Sequence, residues 1–267
     1  MKTLLRALDG IEHAETAAGV PLLSGTFPAG QHDRVWRALR AEHPRTGLWP
    51  VLGWTAGSAA EGTYNWCRQQ QGPDWLAALH GVDPAERMAL IIRSKLEWTI
   101  HGDPDDPQLE AWQKECRAEF NPVRVAEAVG PLTEVPPGIR RRTRGYDAPT
   151  EVLLVPAAAG YEVLALVPGL MAIMNNWFGG PSHPDLHYAD HIFVLRHWEQ
   201  SWGAELYHPG FDDLELAVTR PPRDPLAVAT CAVEQLSYCD DLEQILGDVH
   251  TVARRQAPAD HWSFWWD

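Results

Sequence analysis

Basic residues are scarce in this sequence. It has 22 Lys and Arg against 36 Asp and Glu, and the formal net charge at pH 7 is -14. A surface with this balance repels nucleic-acid phosphates and anionic lipid headgroups. We therefore expect neither nucleic acid nor a membrane as a direct partner, whereas a basic protein or peptide segment is electrostatically compatible.

Long hydrophobic runs and paired cysteines are also missing. The stretch VLALVPGLMAIM is broken by Pro168 and Gly169, and no stretch reaches the ~18 apolar residues of a membrane span. Arg6 and Asp9 interrupt the apolar run that an N-terminal signal peptide needs. The four cysteines include no CxxC pair, which favours reduced, partly buried thiols. These features predict a cytoplasmic protein.

Common nucleotide and hydrolase motifs are absent as well. The sequence contains no GxGxxG after a predicted strand, no GxxxxGK[ST] and no GxSxG. Each of these motifs places glycines where a phosphate or a nucleophile approaches the backbone. Their absence disfavours a nucleotide-dependent enzyme of a standard type, and no organic cofactor is expected.

Aromatic and apolar residues, by contrast, are plentiful. The 267 residues are 45% hydrophobic and include 13 Trp, which indicates a folded chain with a sizeable core, although tryptophans also line binding grooves. The segment Glu134 to Glu151 is rich in Pro, Gly and Arg, which is typical of an exposed connection. It divides the chain into a predicted N-terminal α/β region, residues 1–145, and a second domain, residues 146–267.

Hydrophobic periodicity and capping residues predict elements on both sides of this connection. Before it, we expect a helix that ends at Pro44, a strand in GLWPVLGW, and a helix that begins at Asp83-Pro84. The apolar stripe of that last helix contains Met88, Ile91, Ile92 and Leu96, with Trp98 as a further candidate. Another helix is expected between Pro107 and Pro122.

After the connection, TEVLLVPA and YEVLALVP are predicted to be strands. PDLHYADHIFVLRHWEQSWG is predicted to be a helix that ends at Gly203, and AELYHPGFDDLELAVT a hairpin. RDPLAVATCAVEQLSYC is predicted to be a helix capped by Asp224. Its expected core stripe is Leu226, Ala229, Val233 and Leu236.

The closing HWSFWWD is either a last strand of the core or an exposed adhesive surface. In a strand, Trp262, Phe264 and Trp266 point to one side. Because burial of aromatic area is strongly stabilising, we favour the core strand. The fold class that follows is α+β: a mixed or antiparallel sheet packed against helices, with the C-terminal aromatic strand buried.

The last hundred residues resemble a known family. VLRHWEQSWGAELYH, DLELAVTRPP, AVEQLSYCDD and WSFWWD occur in the order and spacing of DUF4253. This is a bacterial domain of unknown function that is common in actinomycetes. The resemblance therefore makes 146–267 a DUF4253-like domain but implies no activity. Candidate binding residues taken from its pattern and from NNWFGGPSHP are Trp177, Trp198, Asp213, Gln235 and Asp240.

Histidines are concentrated near the start of the helix that ends at Gly203. His187 and His191 are four residues apart, so both imidazoles can face one ion, with Asp190 or His208 as a further ligand. This spacing predicts a possible divalent metal site. The alternative is that His191 is a hydrogen-bonded core histidine, because it lies on the apolar stripe of the helix.

Three carboxylates are candidates for general acid and base catalysis. Glu205 and Glu215 lie on the two arms of the predicted hairpin, where proximity would raise the pKa of one of them. The alternative for Glu215 is a solvated outer face, because it alternates with apolar residues. Glu234 falls off the core stripe of its helix, which is compatible with a site or with a capping role.

Cys239 is a third candidate for chemistry. A nucleophilic thiolate there would need His250 or His261 as a base. Asp240 and Asp241 follow it directly, and negative charge raises a thiol pKa. A structural cysteine is therefore the favoured interpretation.

Two function hypotheses remain. The first is a non-enzymatic cytoplasmic protein that recognises a protein or peptide partner through an acidic, tryptophan-rich surface. The second is a hydrolase-type enzyme that uses the histidine or carboxylate set, with or without a divalent metal. Convergence of Glu205, Glu215, Glu234, His187 and His191 in one pocket would favour the enzyme.

Overall fold

The computed structural model describes residues 8–61, 72–100, 105, 107–132, 134, 149–171, 188–210 and 212–266. The strands are β1 (Asp9–Glu15), β2 (Pro21–Phe27), β3 (Leu48–Leu52), β4 (Thr150–Pro156), β5 (Ala204–Pro209), β6 (Asp213–Val218) and β7 (His261–Trp265). The helices are α1 (His32–Thr46), α2 (Ala56–Glu61), α3 (Pro73–His80), α4 (Pro84–Thr99), α5 (Leu109–Glu119), α6 (Pro122–Val129), α7 (Gly160–Leu166), α8 (Tyr188–Trp202), α9 (Pro225–Tyr238), α10 (Leu242–Leu246) and α11 (Val249–Arg255).

The strands form two antiparallel sheets, so the predicted α+β class is confirmed. The first sheet has the order β1-β2-β4-β3, and the second has the order β5-β6-β7. In the first sheet, Leu154 of β4 lies opposite Leu23 on one side and Pro50 on the other. Residues 152–155 of β4 are all buried, which explains why this strand is a continuous apolar run rather than an alternating one.

The chain forms two compact units. The first consists of Met1–Val82, Arg141–Met174 and Glu205–Leu216, and the second of Asp83–Arg140, Asn175–Ala204 and Ala217–Asp267. The predicted domain boundary at residue 145 lies outside the described residues, as does most of the predicted connection around it. The division into residues 1–145 and 146–267 therefore stays a prediction.

In the first unit, polar tips of aromatic residues join the elements. Trp36 of α1 donates its indole N–H to Pro50 O of β3 at 3.0 Å. Trp49 of β3 donates to Leu206 O of β5 at 3.1 Å. The rings are buried while their N–H groups are satisfied, which is how a core accommodates tryptophan.

In the second unit, two helices begin where the sequence predicts. Asp83 accepts the N–H of Ala85 at the start of α4, and Asp224 accepts the N–H groups of Leu226 and Ala227 at the start of α9. A proline follows each cap, where its missing N–H is not needed. Helix α8 ends at Trp202, before Gly203 with a φ of 62°, as the predicted stop requires.

The terminal strand lies in the core of the second unit. Trp262 and Phe264 have no exposed surface, and Trp266 is 3% exposed. Trp198 of α8 and Tyr238 of α9 pack against them. The interpretation of the tail as a buried strand is confirmed, and the adhesive-surface alternative is wrong for these three rings.

Three local predictions are wrong. YEVLALVP is not a strand but largely the buried helix α7, whose Glu162 accepts the N–H of Ala158 at 2.7 Å just before the helix. A short, largely apolar run does not distinguish a buried helix from a buried strand. Leu226 is 47% exposed because it lies in the first turn of α9. Helix α1 runs past Pro44 to Thr46 and ends at Gly47 in the left-handed region.

Candidate functional site

Glu234, a predicted catalytic residue, is a buried acceptor between α8 and α9 in the second unit. Its two oxygens lie 2.9 Å from His197 Nε2, 3.0 Å from Trp198 Nε1 and 3.3 Å from Trp202 Nε1. Three N–H donors thus converge on one carboxylate that is 5% exposed. The interpretation that Glu234 lies off the core is wrong, because its helix is buried around most of its circumference. The arrangement joins two helices and holds three ring orientations.

Glu205, the second predicted catalytic residue, forms an ion pair within the first unit. Arg40 of α1 donates to both of its oxygens, at 3.0 Å and 2.7 Å. The same guanidinium lies 4.3 Å from the centre of the Trp49 ring. A bidentate pair stacked on an indole fixes the position of the carboxylate, and here it links α1 to β5.

Glu215, the third, lies near His208 and Asp213 in the first unit. It has no exposed surface, so the solvated-face alternative is wrong. His208 Nδ1 lies 2.8 Å from Leu52 O, and Nε2 lies 3.3 Å from Asp213 Oδ2. Burial opposes protonation of this ring, but the hydrogen bond to Asp213 and the charges of Asp213 and Glu215 outweigh it. The pKa of His208 is raised.

The surroundings of His208 are tightly packed. A Cβ placed on Gly53 would lie 2.7 Å from the ring carbon Cε1, and Gly53 has a φ of 85°. Both ring nitrogens therefore face protein groups, and a glycine backbone lies against the ring edge. Such a group stabilises the unit and leaves little room for a substrate atom beside the imidazole.

Of the proposed metal ligands, His191 and Asp190 have protein partners in the second unit, and His187 lies outside the described residues. His191 Nδ1 lies 2.6 Å from Tyr238 Oη, and burial lowers the pKa of His191 to about 3. Asp190 accepts both donors of the Arg87 fork, the Nη2 bond being 2.9 Å long. Within the described ranges, no group of three His, Cys, Asp or Glu residues has the geometry to hold an ion.

The residues predicted to bind a partner are mostly interior. Trp198 has no exposed surface and stacks on Phe264. Gln235 is buried and accepts a bond from Gln256 at 3.4 Å. Asp213 contacts His208 as described, Asp240 pairs with Lys95, and Trp177 lies outside the described residues. The contacts of Trp198, Gln235 and Asp213 organise the units rather than present a surface.

Cys239 behaves as the favoured structural interpretation predicts. Burial and the charges of Asp241 and Asp240 raise the pKa of its thiol. The Sγ–H group donates to Trp265 O at 3.1 Å. A protonated thiol in this position ties the end of α9 to the terminal strand and is a poor nucleophile.

Sequence reasoning missed two exposed indoles in the second unit. Trp98, near the end of α4, is 44% exposed, and Trp112, near the start of α5, is 39% exposed. Gln113 Nε2 donates to Ile100 O at 3.0 Å, so these two helix ends are held together. We call Trp98 and Trp112 the indole surface. The signal for Trp112 was its position between Glu110 and Lys114, a polar setting that is unusual for a core tryptophan.

Carboxylates lie near Trp98 and along α5 towards its last residue. Lys95 Nζ lies 4.6 Å from the centre of the Trp98 ring and pairs with Asp240. Burial and the charges of Asp240 and Glu119 raise the pKa of Glu243. Burial and the charge of Glu115 likewise raise the pKa of Glu119. We call Glu115, Glu119, Asp240 and Glu243 the acidic rim.

None of the helices in the described part of the chain combines the length and the apolar character that crossing a bilayer requires. No curated protein sequence and no solved structure matches the chain. A family model, the domain of unknown function DUF4253, matches residues 151–267. This range contains Glu234, Asp240 of the acidic rim, and the aromatic core around Trp198. The match agrees with the resemblance that VLRHWEQSWGAELYH and WSFWWD indicate. The C-terminal part of the chain, residues 151–267, is therefore similar to the DUF4253 family, over somewhat less than half of the chain's length.

Proposed function

We propose that this chain is a cytoplasmic binding protein that recognises a protein or peptide partner through the indole surface and the acidic rim of its second unit. The observation that carries the proposal is the exposure of Trp98 and Trp112 at two helix ends that Gln113 holds together. Indoles at a protein surface are the residues that most often dominate binding energy at an interface.

Three tryptophans of the family-pattern segments are buried, in contrast to Trp98 and Trp112. Trp198 and Trp262 are completely buried, and Trp266 is nearly so. Trp98 and Trp112 differ from these buried rings, because about two-fifths of each is exposed. Isolated exposed hydrophobic residues are normal, but two exposed indoles on helix ends that a hydrogen bond joins favour an interaction site.

The hydrolase alternative has weaker support. Each candidate catalytic carboxylate has a protein group beside it: Arg40 at Glu205, the His208 group at Glu215, and three N–H donors at Glu234. Glu205 and Glu215 belong to the first compact unit and Glu234 to the second. A general acid or base needs a side chain that can reach a substrate proton, and these contacts favour structural roles.

The proposal is tested by comparative affinity capture. The wild-type chain and the double variant Trp98→Ala/Trp112→Ala are used as baits at low salt in lysate of the native host. We expect at least one protein that the wild type enriches and the double variant loses. The interaction is then reproduced with the purified partner by calorimetry, where the double variant should bind at least about tenfold more weakly.

The matched control is Leu226→Ala/Val123→Ala, which removes two other exposed apolar side chains from the second unit. This variant should retain the partner. If the wild type and the Trp98→Ala/Trp112→Ala variant enrich the same proteins to the same extent, the proposed function is wrong.

A further inference from the structure

The indole surface already contains one cation. The Lys95 ammonium lies 4.6 Å from the centre of the Trp98 ring and pairs with Asp240, and the residue is 3% exposed. An indole on one side and a carboxylate on the other is an arrangement that recognises a cationic side chain. Lys95 thus makes the two contacts, one with an indole and one with a carboxylate, that a basic side chain of a partner would make.

Among the described residues, Glu119 and Glu243 form no ion pair, although Lys95 and His250 exert longer-range attraction on them. The charge of Glu119 contributes, after burial and the charge of Asp240, to the raised pKa of Glu243. A positive charge between them would relieve this repulsion, so the rim favours a cation at this position.

The rim and the indoles belong to one region of the second unit. Asp240 pairs with Lys95 beside Trp98. Near Trp112, the charges of Glu119 and Glu243 both raise the pKa of the Cys116 thiol. Cys116 lies one helical turn after Trp112 on the same face of α5. The acidic rim therefore connects the neighbourhoods of the two indoles.

Resting on the proposed function, we infer that the segment that docks on the indole surface is a basic protein segment. One Lys or Arg side chain of this segment lies against Glu119 and Glu243, and apolar side chains beside it cover Trp98 and Trp112. Charge complementarity selects this occupant. A second copy of this chain carries a net charge of -14 and would be repelled, and nucleic acid is excluded by the same sign.

The probes are three synthetic peptides with the same unstructured Gly/Ser backbone and the same leucines. One carries arginines, one carries glutamines at these positions, and one carries glutamates. Binding to the full chain is measured by calorimetry at low and at high salt. The protein variants are Glu119→Gln/Glu243→Gln, Trp98→Ala/Trp112→Ala, and Glu86→Gln/Glu127→Gln, which neutralises two other exposed carboxylates of the second unit.

We expect the arginine peptide to bind more tightly than the glutamine peptide by at least about tenfold at low salt, and the glutamate peptide not to bind. The Glu119→Gln/Glu243→Gln variant should lose most of this preference, and Glu86→Gln/Glu127→Gln should keep it. Carboxyl resonances in NMR give a second readout: the pKa values of Glu119 and Glu243 should fall when the arginine peptide is bound.

Two results would overturn the inference, and they differ in their meaning for the proposed function. If the glutamine peptide binds as tightly as the arginine peptide and Trp98→Ala/Trp112→Ala abolishes both, the partner class is wrong while the indole surface stands. If no peptide depends on Trp98 and Trp112, the inference and the proposed function both fail. Thermal unfolding of each variant checks that loss of binding is not loss of folding.

Discussion

Trp198 stacks on Phe264, with ring centroids 5.2 Å apart and planes inclined by 16°. Helix α8 and the terminal strand meet at this contact. Trp262 and Tyr238 lie edge-on to the Trp198 ring, at 5.5 Å and 5.2 Å. Stacked and edge-on pairs at these distances add to the stabilisation from buried aromatic area. The cluster therefore makes the last residues of the chain part of the core of the second unit.

Truncation of this cluster should be severely destabilising. We expect Phe264→Ala to lower the free energy of unfolding by about 3–5 kcal/mol, because it removes a fully buried ring and leaves a cavity under Trp198. Urea denaturation followed by circular dichroism measures the change. The control Leu226→Ala, at an exposed site, should cost less than about 0.5 kcal/mol. Equal effects of the two substitutions would contradict the interior role of the tail.

Removal of the Glu234 carboxylate should also destabilise the second unit. Glu234→Ala leaves the N–H groups of His197, Trp198 and Trp202 without their common acceptor, for an expected loss of about 3–5 kcal/mol. Glu234→Gln keeps one acceptor oxygen and should cost less. The exposed Glu127→Ala is the control in chemical denaturation. A Glu234→Ala variant as stable as wild type would mean that these three bonds contribute nothing net.

His191 should make the protein sensitive to acid. Its pKa is lowered from an ordinary 6.5 to about 3 by burial, so between these values the unfolded chain binds a proton that the folded chain does not. Stability contributed by the neutral ring is complete above pH 6.5 and is lost as the pH falls towards 3.

His191→Gln removes this titration while keeping a polar side chain near Tyr238. The free energy of unfolding of wild type, measured from about pH 7 to about pH 4, should fall more steeply than that of the variant. Parallel curves would show that His191 does not titrate in this window. Comparison of the two slopes, rather than of absolute stabilities, separates protonation from the loss of the Tyr238 contact.

His208 should have the opposite pH dependence. Its pKa is raised, because the hydrogen bond to Asp213 and the charges of Asp213 and Glu215 outweigh the opposing effect of burial. The folded state therefore binds the proton more tightly than the unfolded state. The stabilisation is complete below the ordinary pKa of 6.5 and is lost as the pH rises through the raised value.

Comparison of wild type with His208→Gln tests this sign. The stability advantage of wild type should be largest in mild acid and should shrink as the pH increases past neutrality. Direct titration of the His208 ring by NMR supplies an independent check, since its midpoint should lie above that of an exposed histidine. A midpoint below 6.5 would contradict the dominance of Asp213 and Glu215 over burial.

The indole surface should be visible in fluorescence quenching. Trp98 and Trp112 are accessible and lie near the acidic rim, so caesium ions should quench part of the tryptophan emission more efficiently than iodide. In Trp98→Ala/Trp112→Ala this selectivity should largely disappear, with an unfolding free energy within about 1 kcal/mol of wild type. Retained caesium selectivity in the variant would place the accessible, acidic indoles elsewhere.

Capping residues and two-residue alternation made several elements predictable. Asp83-Pro84 and Asp224-Pro225 start helices because a carboxylate accepts the free N–H groups and proline suits the first turn. The alternation in the tail predicts the buried face of β7 because side chains of a strand point to opposite sides. These signals are local, so they act before any partner element is present.

The site was less predictable from the sequence than the elements. Glu215 and Glu234 were assigned outer or ambiguous positions, yet both are buried. The donors that surround Glu234 lie on α8, more than thirty residues away along the chain. Trp98 was a candidate for the apolar stripe of α4, yet it is 44% exposed. The spacing of apolar residues in α4 does not reveal that Trp98, near the end of the helix, is left partly uncovered by other elements.

The sequence by itself determined the position of several helices and strands, the α+β class, the interior role of the terminal aromatics and the acidic balance of charge. These properties depend on local hydrogen bonding, side-chain periodicity and total charge. Only the tertiary structure decided that YEVLALVP is largely helical, that Glu234 collects three donors, and that Trp98 and Trp112 remain at the surface. Burial depends on which distant segments pack against a residue, and that information is absent from the residue's own neighbourhood in the chain.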